Sequence, residues 1–182
     1  MTINTDTFTG PSFSLQNRFL RIVWRSAWGI FGRFSPTLLH EWRSILLRIF
    51  GAKVGRGVHI YPTVTIWAPW NLEIGDESGV GPGAILYSQG KIWIAERVVI
   101  SQGVHLCGGT HDYTKRGFPL IPKEIRIGQD VWIAADAFIH PGVTIGEGAV
   151  IGARSVVTKD MPPWMVCAGH PCKPLKGRVM KT

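Results

Sequence analysis

"IRIGQDVWIAADAFIHPGVTIGEGAVIGARSVV", residues 125–157, returns an aliphatic residue at every sixth position: Ile127, Ile133, Ile139, Ile145, Ile151 and Val157. A period of six matches neither the 3.6 residues of a helical turn nor the alternation of a hairpin sheet. It suits short parallel strands joined by sharp corners, each aliphatic pointing into a prism and three strands making one triangular coil. The period extends toward the N-terminus through Val54, Ile60 and Ile66, then Ile74, Val80 and Leu86, then Ile94, Ile100 and Leu106, with two-residue slips before Ile74 and Ile94. A glycine often follows the aliphatic, as at Gly75, Gly81, Gly128, Gly146 and Gly152, where it is expected to relax a corner. An ordinary β-sandwich would show period two instead. Coils stacked at ~4.8 Å satisfy one another's backbone groups everywhere except at the two ends of the stack.

Ahead of the repeat the period is helical. Leu15, Phe19, Ile22, Val23, Ala27, Ile30, Phe31 and Phe34 recur at three-or-four spacing among Arg18, Arg21, Arg25 and Arg33, which predicts an amphipathic helix. A second helix is expected from Ser35-Pro36, an N-cap followed by proline at the first helical position, to Gly51, presenting Leu38, Leu39, Trp42, Ile45, Leu46, Ile49 and Phe50. The expected organisation is an N-terminal tail and helical hairpin over residues 1–51, then a mainly β domain over 52–182 with a loop at 107–126 and a C-terminal extension. The hairpin is expected to cap the open end of the prism. Its basic and Trp-rich character also suits peripheral contact of residues 15–50 with a membrane surface.

Composition narrows the function classes. The chain has 182 residues, a formal charge of +8 and a pI near 9.8, so an anionic partner is expected: a phosphorylated cofactor, an acidic surface or nucleic acid. No nucleic-acid module or basic groove interleaved with stacking aromatics accompanies the charge, and nucleic acid is not the expected partner. Cys107, Cys167 and Cys172 have neither disulfide-framework nor zinc spacing. With no signal peptide or apolar span legible, the expected location is the cytoplasm.

The hexads fail once, between Leu106 and Ile127, where "CGGTHDYTKRGFPL" (107–120) intervenes. A prism is a wall without a cleft, so chemistry needs something projecting from it. His111 heads the interruption, and imidazole is the side chain suited to take up a proton near neutral pH. Asp112 is expected either to orient that ring or to contact a bound substrate. Lys115 and Arg116 are placed to steer an acidic substrate, and Tyr87 lies one coil earlier. Cys107 reads as a small packed thiol, not as a nucleophile.

The hexads, "THDY" (110–113), "DVWIAADAFIHPGVTIGEGAVIGARSVVTKDMPP" (130–163) and "AGHPCKP" (168–174) resemble the left-handed β-helix acyltransferases. Within them the chain is similar to the maltose and galactoside O-acetyltransferases and to the colanic acid and exopolysaccharide acetyltransferase branch. The resemblance covers about residues 52–176. It implies a left-handed parallel β-helix, a homotrimer with sites between subunits, and acetyl-CoA as co-substrate without a metal. It also implies a sugar, sugar-nucleotide or lipid-linked glycan acceptor, with His111 as general base. The positions matching the family's CoA contacts are Ala134, Gly152, Ala153, Thr158, Lys159 and Lys173, and Trp132 matches its acceptor-groove tryptophan. The family's acceptor-binding asparagine falls where this chain has Gly81 and Gly83, so a simple galactoside is not the expected acceptor. N-acetylation of an amino sugar or antibiotic and a non-catalytic scaffold are the alternatives. A γ-type carbonic anhydrase is disfavoured, because His105 and His111 lie six residues apart instead of five and no third ligand stands out.

Overall fold

The structure, a computed structural model, describes residues 10–180; the N-terminal tail of residues 1–9 and residues 181–182 lie outside them. The six-residue period is realised as three parallel sheets forming the sides of a β-helix. The first sheet runs Lys53–Val54, Leu72–Ile74, Ile92–Ile94, Ile125–Ile127 and Thr144–Ile145. The second runs His59–Ile60, Gly79–Val80, Val99–Ile100, Trp132–Ile133 and Val150–Ile151. The third runs Thr65–Ile66, Ile85–Tyr87, His105–Cys107, Phe138–Ile139 and Val156–Val157. Register puts each hexad aliphatic over its counterpart one coil away, as in Val54↔Ile74↔Ile94↔Ile127↔Ile145. These side chains fill the prism: Ile60, Val80, Leu86, Leu106, Ile133, Ile139, Ile145, Ile151 and Val157 are fully buried, each worth about 1.5–3 kcal/mol against exposure. The second sheet continues into an antiparallel pair, Met165–Gly169 with Cys172–Gly177, which covers its C-terminal end.

The glycines that follow the aliphatics have a different purpose from the one expected. Gly75, Gly128 and Gly146 do not have positive φ; the left-handed turn falls two residues later, at Gly57, Glu77, Arg97, Asp130 and Gly148, with φ between 53° and 64°. Proximity is what demands the glycine. A Cβ at Gly128 would stand 2.6 Å from the Glu147 nitrogen and one at Gly75 would stand 2.6 Å from backbone atoms of Ala95 and Glu96. Hydrogen atoms at these positions let successive coils close to ladder distance. Gly128→Ala is therefore expected to cost about 1–3 kcal/mol, whereas Gly79→Ala, with nothing within 4 Å of the added carbon, stays within about 0.5 kcal/mol. Urea denaturation of the two variants, both at positions without positive φ, reads the cost of crowding against the next coil.

The N-terminal helices are α1, Leu15–Ala27, and α2, His40–Ile49. Between them Trp28–Gly32 forms a π-turn, and residues 33–39 form a connecting turn. The second helix thus starts at His40 and not at Ser35-Pro36. The Ser35 hydroxyl donates to the Gly32 carbonyl and accepts from Arg43, so it is committed to the turn and not to capping. Gly32 is required by packing, since a Cβ there would lie 2.6 Å from the Trp28 ring.

The face that docks is also not the expected one. Asn17, Trp24 and Trp28 on α1 and the π-turn, and Arg43, Ser44, Leu46 and Leu47 on α2, are buried. The aliphatic stripe through Leu15, Phe19 and Ile22 faces out. The reason lies in the backbone of the first coil. Each coil donates its N–H groups to the carbonyls of the next, as in Gly55 N–H to Ile74 O and Gly75 N–H to Ile94 O, both 2.8 Å. The carbonyls of the first coil have no preceding coil to accept from. Helix side chains supply the donors: Trp24 Nε1 to Ile66 O at 2.8 Å, Trp28 Nε1 to Val64 O at 3.0 Å, and Arg43 Nε to Ile60 O at 2.6 Å. Arg48 adds Nε to Val54 O at 2.9 Å and a second nitrogen to Gly55 O at 2.7 Å. Buried carbonyls left unpaired would each cost about 1–3 kcal/mol, which selects the donor-bearing face over the purely aliphatic one.

Candidate active site

The third sheet delivers the chain to the edge where it turns into the first sheet, and at that edge the strand His105–Cys107 runs on into a projecting hairpin. Gly109–His111 pairs antiparallel with Leu120–Pro122, His111 opposite Leu120. The root is locked by backbone: Gly108 N–H donates to Tyr87 O at 2.9 Å, and both Gly90 and Lys123 donate to Gly108 O at 2.8 and 3.0 Å. A Cβ at Gly108 would come within 2.8 Å of Tyr87 O, so this tight root admits no side chain. The half-buried Cys107 thiol donates to Gly109 O at 3.3 Å.

His111 is exposed on the hairpin, and its Nδ1 lies 2.6 Å from the carbonyl of Phe118. A carbonyl only accepts, so Nδ1 carries the proton of the neutral ring and Nε2 keeps its lone pair. The ring is held by backbone across the turn and presents an acceptor nitrogen to whatever lies outside. Phe118, at φ 45°, was not legible as part of this arrangement, because every residue has a carbonyl. Its neighbour Gly117, at φ 93°, is the one sequence signal of a turn there.

Asp112 does not face the imidazole. Its carboxylate accepts from Thr114 N–H at 3.1 Å and from the Thr114 hydroxyl at 2.6 Å, with Lys115 at 3.5 Å. The Thr114 hydrogen bonds chiefly hold this carboxyl below its ordinary range. The ring is held by the Phe118 carbonyl, and the Asp112 carboxylate is engaged by Thr114 and Lys115 within the turn. Lys115 and Arg116 are exposed at the tip.

Beneath the hairpin lies a column of aromatic rings on the outer surface of the third sheet. Trp67 and Tyr87 are 6.0 Å apart edge to face, Tyr87 and His105 6.2 Å, and His105 and Phe138 4.8 Å. The Tyr87 hydroxyl accepts from Gln89 Nε2 at 2.8 Å. His105 Nε2 and Gln89 Oε1 are buried without a hydrogen-bond partner among the described residues, and burial pushes the His105 pKa down. Tyr87 is thus wedged into the wall under the hairpin, with Gln89 beside it.

The remaining site residues fall along two lines. Ala134 and Gly152 occupy the same corner one coil apart, with Ala134 N–H donating to Ile151 O at 2.8 Å, and Ala153 follows as an exposed residue. Thr158 and Lys159 follow Val156–Val157, the last strand of the third sheet, which pairs on one side only. Lys173 is on the strand paired with Ala168. Lys159 and Lys173 are exposed, with no carboxylate partner recorded among the described residues. A one-sided strand with small corner residues and free cations beside it fits a long amide-bearing, phosphorylated arm such as that of CoA. Trp132 is half exposed on the second sheet, its indole N–H donating to Ser101 Oγ at 3.0 Å. The second sheet is the side of the triangle opposite the edge from which the His111 hairpin springs. The lone chain roots these two residues apart. Among the described residues no group of three or more His, Cys, Asp or Glu side chains is arranged to hold a metal ion.

A prism of hexapeptide coils with a single projecting imidazole-bearing hairpin defines an acyltransferase of the hexapeptide-repeat class. Residues 124–159 match the family described as bacterial transferase hexapeptide (six repeats). The putative colanic acid biosynthesis acetyltransferase WcaF of Escherichia coli (strain K12) is 44% identical over 157 residues, 86% of each chain. The galactoside O-acetyltransferase of Escherichia coli (strain K12) is 32% identical over 149 residues, 80% of this chain and 73% of that protein. Among solved structures, a galactoside acetyltransferase in complex with coenzyme A superposes with a TM-score of 0.83 at 28% identity, covering 94% of this chain and 88% of its own. The chain belongs to the hexapeptide-repeat acetyltransferases.

Proposed function

We propose that this protein transfers the acetyl group of acetyl-CoA to a hydroxyl of a sugar unit used in exopolysaccharide or related glycan synthesis, with His111 as general base. The observation that carries the reading is the Phe118 carbonyl on His111 Nδ1, which leaves Nε2 as the acceptor nitrogen of an exposed ring. In this reading Nε2 takes the proton of the attacking hydroxyl as its oxygen bonds to the thioester carbonyl carbon. The tetrahedral adduct then expels the CoA sulfur, which receives that proton. No covalent enzyme intermediate is needed. Ala134, Gly152, Ala153, Thr158, Lys159 and Lys173 line the donor arm, and Trp132, Tyr87, Lys115 and Arg116 face the acceptor. The names of the WcaF and galactoside relatives support a glycan acceptor.

The working form in this reading is a homotrimer, because the His111 hairpin and Trp132 sit on an edge and the side opposite it, and only neighbouring subunits bring such a pair together. The location is the cytoplasm, at the inner membrane surface where lipid-linked glycans are assembled.

The test is a screen of sugar nucleotides and oligosaccharide fragments with acetyl-CoA, read by acceptor mass gain of one acetyl group. Gain that survives mild alkali marks an amide and overturns the hydroxyl assignment; no gain on any sugar overturns the acceptor class. Subunit sharing has its own measurement. Two variants, His111→Ala and Trp132→Ala, each impaired alone, are expected to regain activity when unfolded together and co-refolded, because some mixed sites then hold both native side chains. Activity no better than the sum of the separate variants would place both residues in one subunit's site.

A further inference from the structure

We propose that the outward face of the helical hairpin is a docking surface for an anionic lipid bilayer. This deepens the location given above and rests on it only for direction, since lipid binding is measured without acetyl transfer.

Asn17 and Trp24 on α1 and Trp28 at the start of the π-turn are buried and recur at helical spacing. Offset from them by two positions, about half a helical turn, run Leu15, Phe19 and Ile22, which are 77%, 65% and 64% exposed. One face of the helix is spent on the prism, and the opposite face is aliphatic and uncovered. The face does not stop at α1. The Trp42 indole N–H on α2 donates to the Phe31 carbonyl of the π-turn at 2.9 Å, and exposed Ile45 and Ile49 extend the surface along α2. At the turn between the helices Phe34 and Leu38 are 82% and 90% exposed. So many large apolar side chains left exposed on one pair of helices are unusual for a surface that meets only water.

Charge identifies the occupant. From residue 7 to residue 40 the sequence contains no Asp or Glu. Arg18, Arg25 and Arg33 are exposed, without a carboxylate partner among the described residues; Arg18 and Arg25 flank Arg21 on one side of α1, and Arg25 and Arg33 border the cavity between the helix and the third sheet, so the cations line the seam between the apolar face and the prism. Arg21 is different: it turns inward over the Trp67 ring at 4.4 Å. A second copy of the chain is a poor complement to that rim. Its own carboxylates are largely engaged, with Glu73 on Lys53, Asp76 on Arg56, Glu96 and Asp130 on Arg97, and Glu124 on Arg126. An anionic bilayer offers what the face lacks, an apolar phase for the aliphatic stripe beneath a layer of phosphates for the arginines. Among the described residues no helix is long and apolar enough to cross a membrane, so the contact lies in the plane of the surface.

The experiment is flotation of the full chain with vesicles of phosphatidylcholine alone or of phosphatidylcholine with phosphatidylglycerol. The protein is expected to float with the anionic vesicles and to be released as salt rises. Joint replacement of Arg18, Arg25 and Arg33 by serine is expected to weaken partitioning about a hundredfold or more. Phe19→Ser with Ile22→Ser is expected to weaken it at least about tenfold. Both variants should keep the wild-type circular dichroism and size-exclusion volume. Failure of the wild type to float with anionic vesicles overturns the proposal. So does a Phe19→Ser and Ile22→Ser variant that floats normally but changes oligomeric state, which would show that a second copy covers this face.

Discussion

Replacing His111 by alanine is expected to lower kcat for acetyl transfer by about 10²- to 10⁴-fold, the range a positioned proton acceptor supplies, while KM for acetyl-CoA is expected to stay within about twofold. The split follows from where the ring sits. His111 is on the projecting hairpin, whereas the small corners and lysines assigned to the donor are on the wall and at its C-terminal end. The alanine variant removes an exposed ring whose hydrogen bond is to a backbone carbonyl. Its fold and size should therefore match the wild type. Asp112→Ala gives a contrasting result: its carboxylate holds Thr114 and not the imidazole, so a loss of about tenfold or less is expected, through looser loop positioning. Steady-state kinetics on any competent acceptor decides the matter. A His111→Ala enzyme that keeps more than about a tenth of wild-type kcat would remove His111 from the role of base, and an equal loss in Asp112→Ala would assign the acid a direct part.

The second large effect is on stability. Arg43→Ala is expected to cost about 3–5 kcal/mol, read as a lowered urea midpoint at fixed protomer concentration. Arg43 is fully buried and donates to the carbonyls of Ile60, Pro36 and Thr37 and to the Ser35 hydroxyl. One guanidinium thus joins the open end of the prism to the turn that leads into α2. Among the described residues no carboxylate accompanies it; carbonyl oxygens stabilise the charge, and burial pulls its pKa down from the ordinary value. Alanine would leave these acceptors unmet and open a cavity. Arg43→Lys is expected to recover less than half of the loss, since a single ammonium cannot span a planar fan of acceptors. A shift below about 1 kcal/mol for alanine would mean that the helices add little to the prism and that its first coil tolerates unpaired carbonyls.

The two predictions also mark how far the sequence reads. Each hexad announces itself, because an inward aliphatic in every six residues is a local requirement repeated coil after coil. The strand positions and their stacking, from Ile60 over Val80 to Ile133 over Ile151, were legible for that reason. His111 was legible because it interrupts a regular pattern. The helical hairpin was legible as helices but not in its orientation. Both faces of α1 carry large apolar residues, and hydrophobicity alone favours Leu15, Phe19 and Ile22 over a face that includes Asn17 and, on α2, Arg43 and Ser44. Only the row of carbonyls at the end of the first coil makes indoles and guanidinium the better inward choice. The corner glycines show the same limit, since the closeness of the neighbouring coil, which the sequence does not display, is what requires Gly75 and Gly128.

By itself, then, the sequence determined a six-residue parallel coil, a single interruption led by a histidine, and a basic helical preface, because each of these is written in spacing along the chain. The tertiary structure decided which helix face is buried, which atom holds the His111 ring, and which groups the Asp112 carboxylate meets. Those outcomes depend on hydrogen-bonding groups brought together from distant positions, and a backbone carbonyl such as that of Phe118 or Ile60 has no signature in the sequence until the fold places a donor against it.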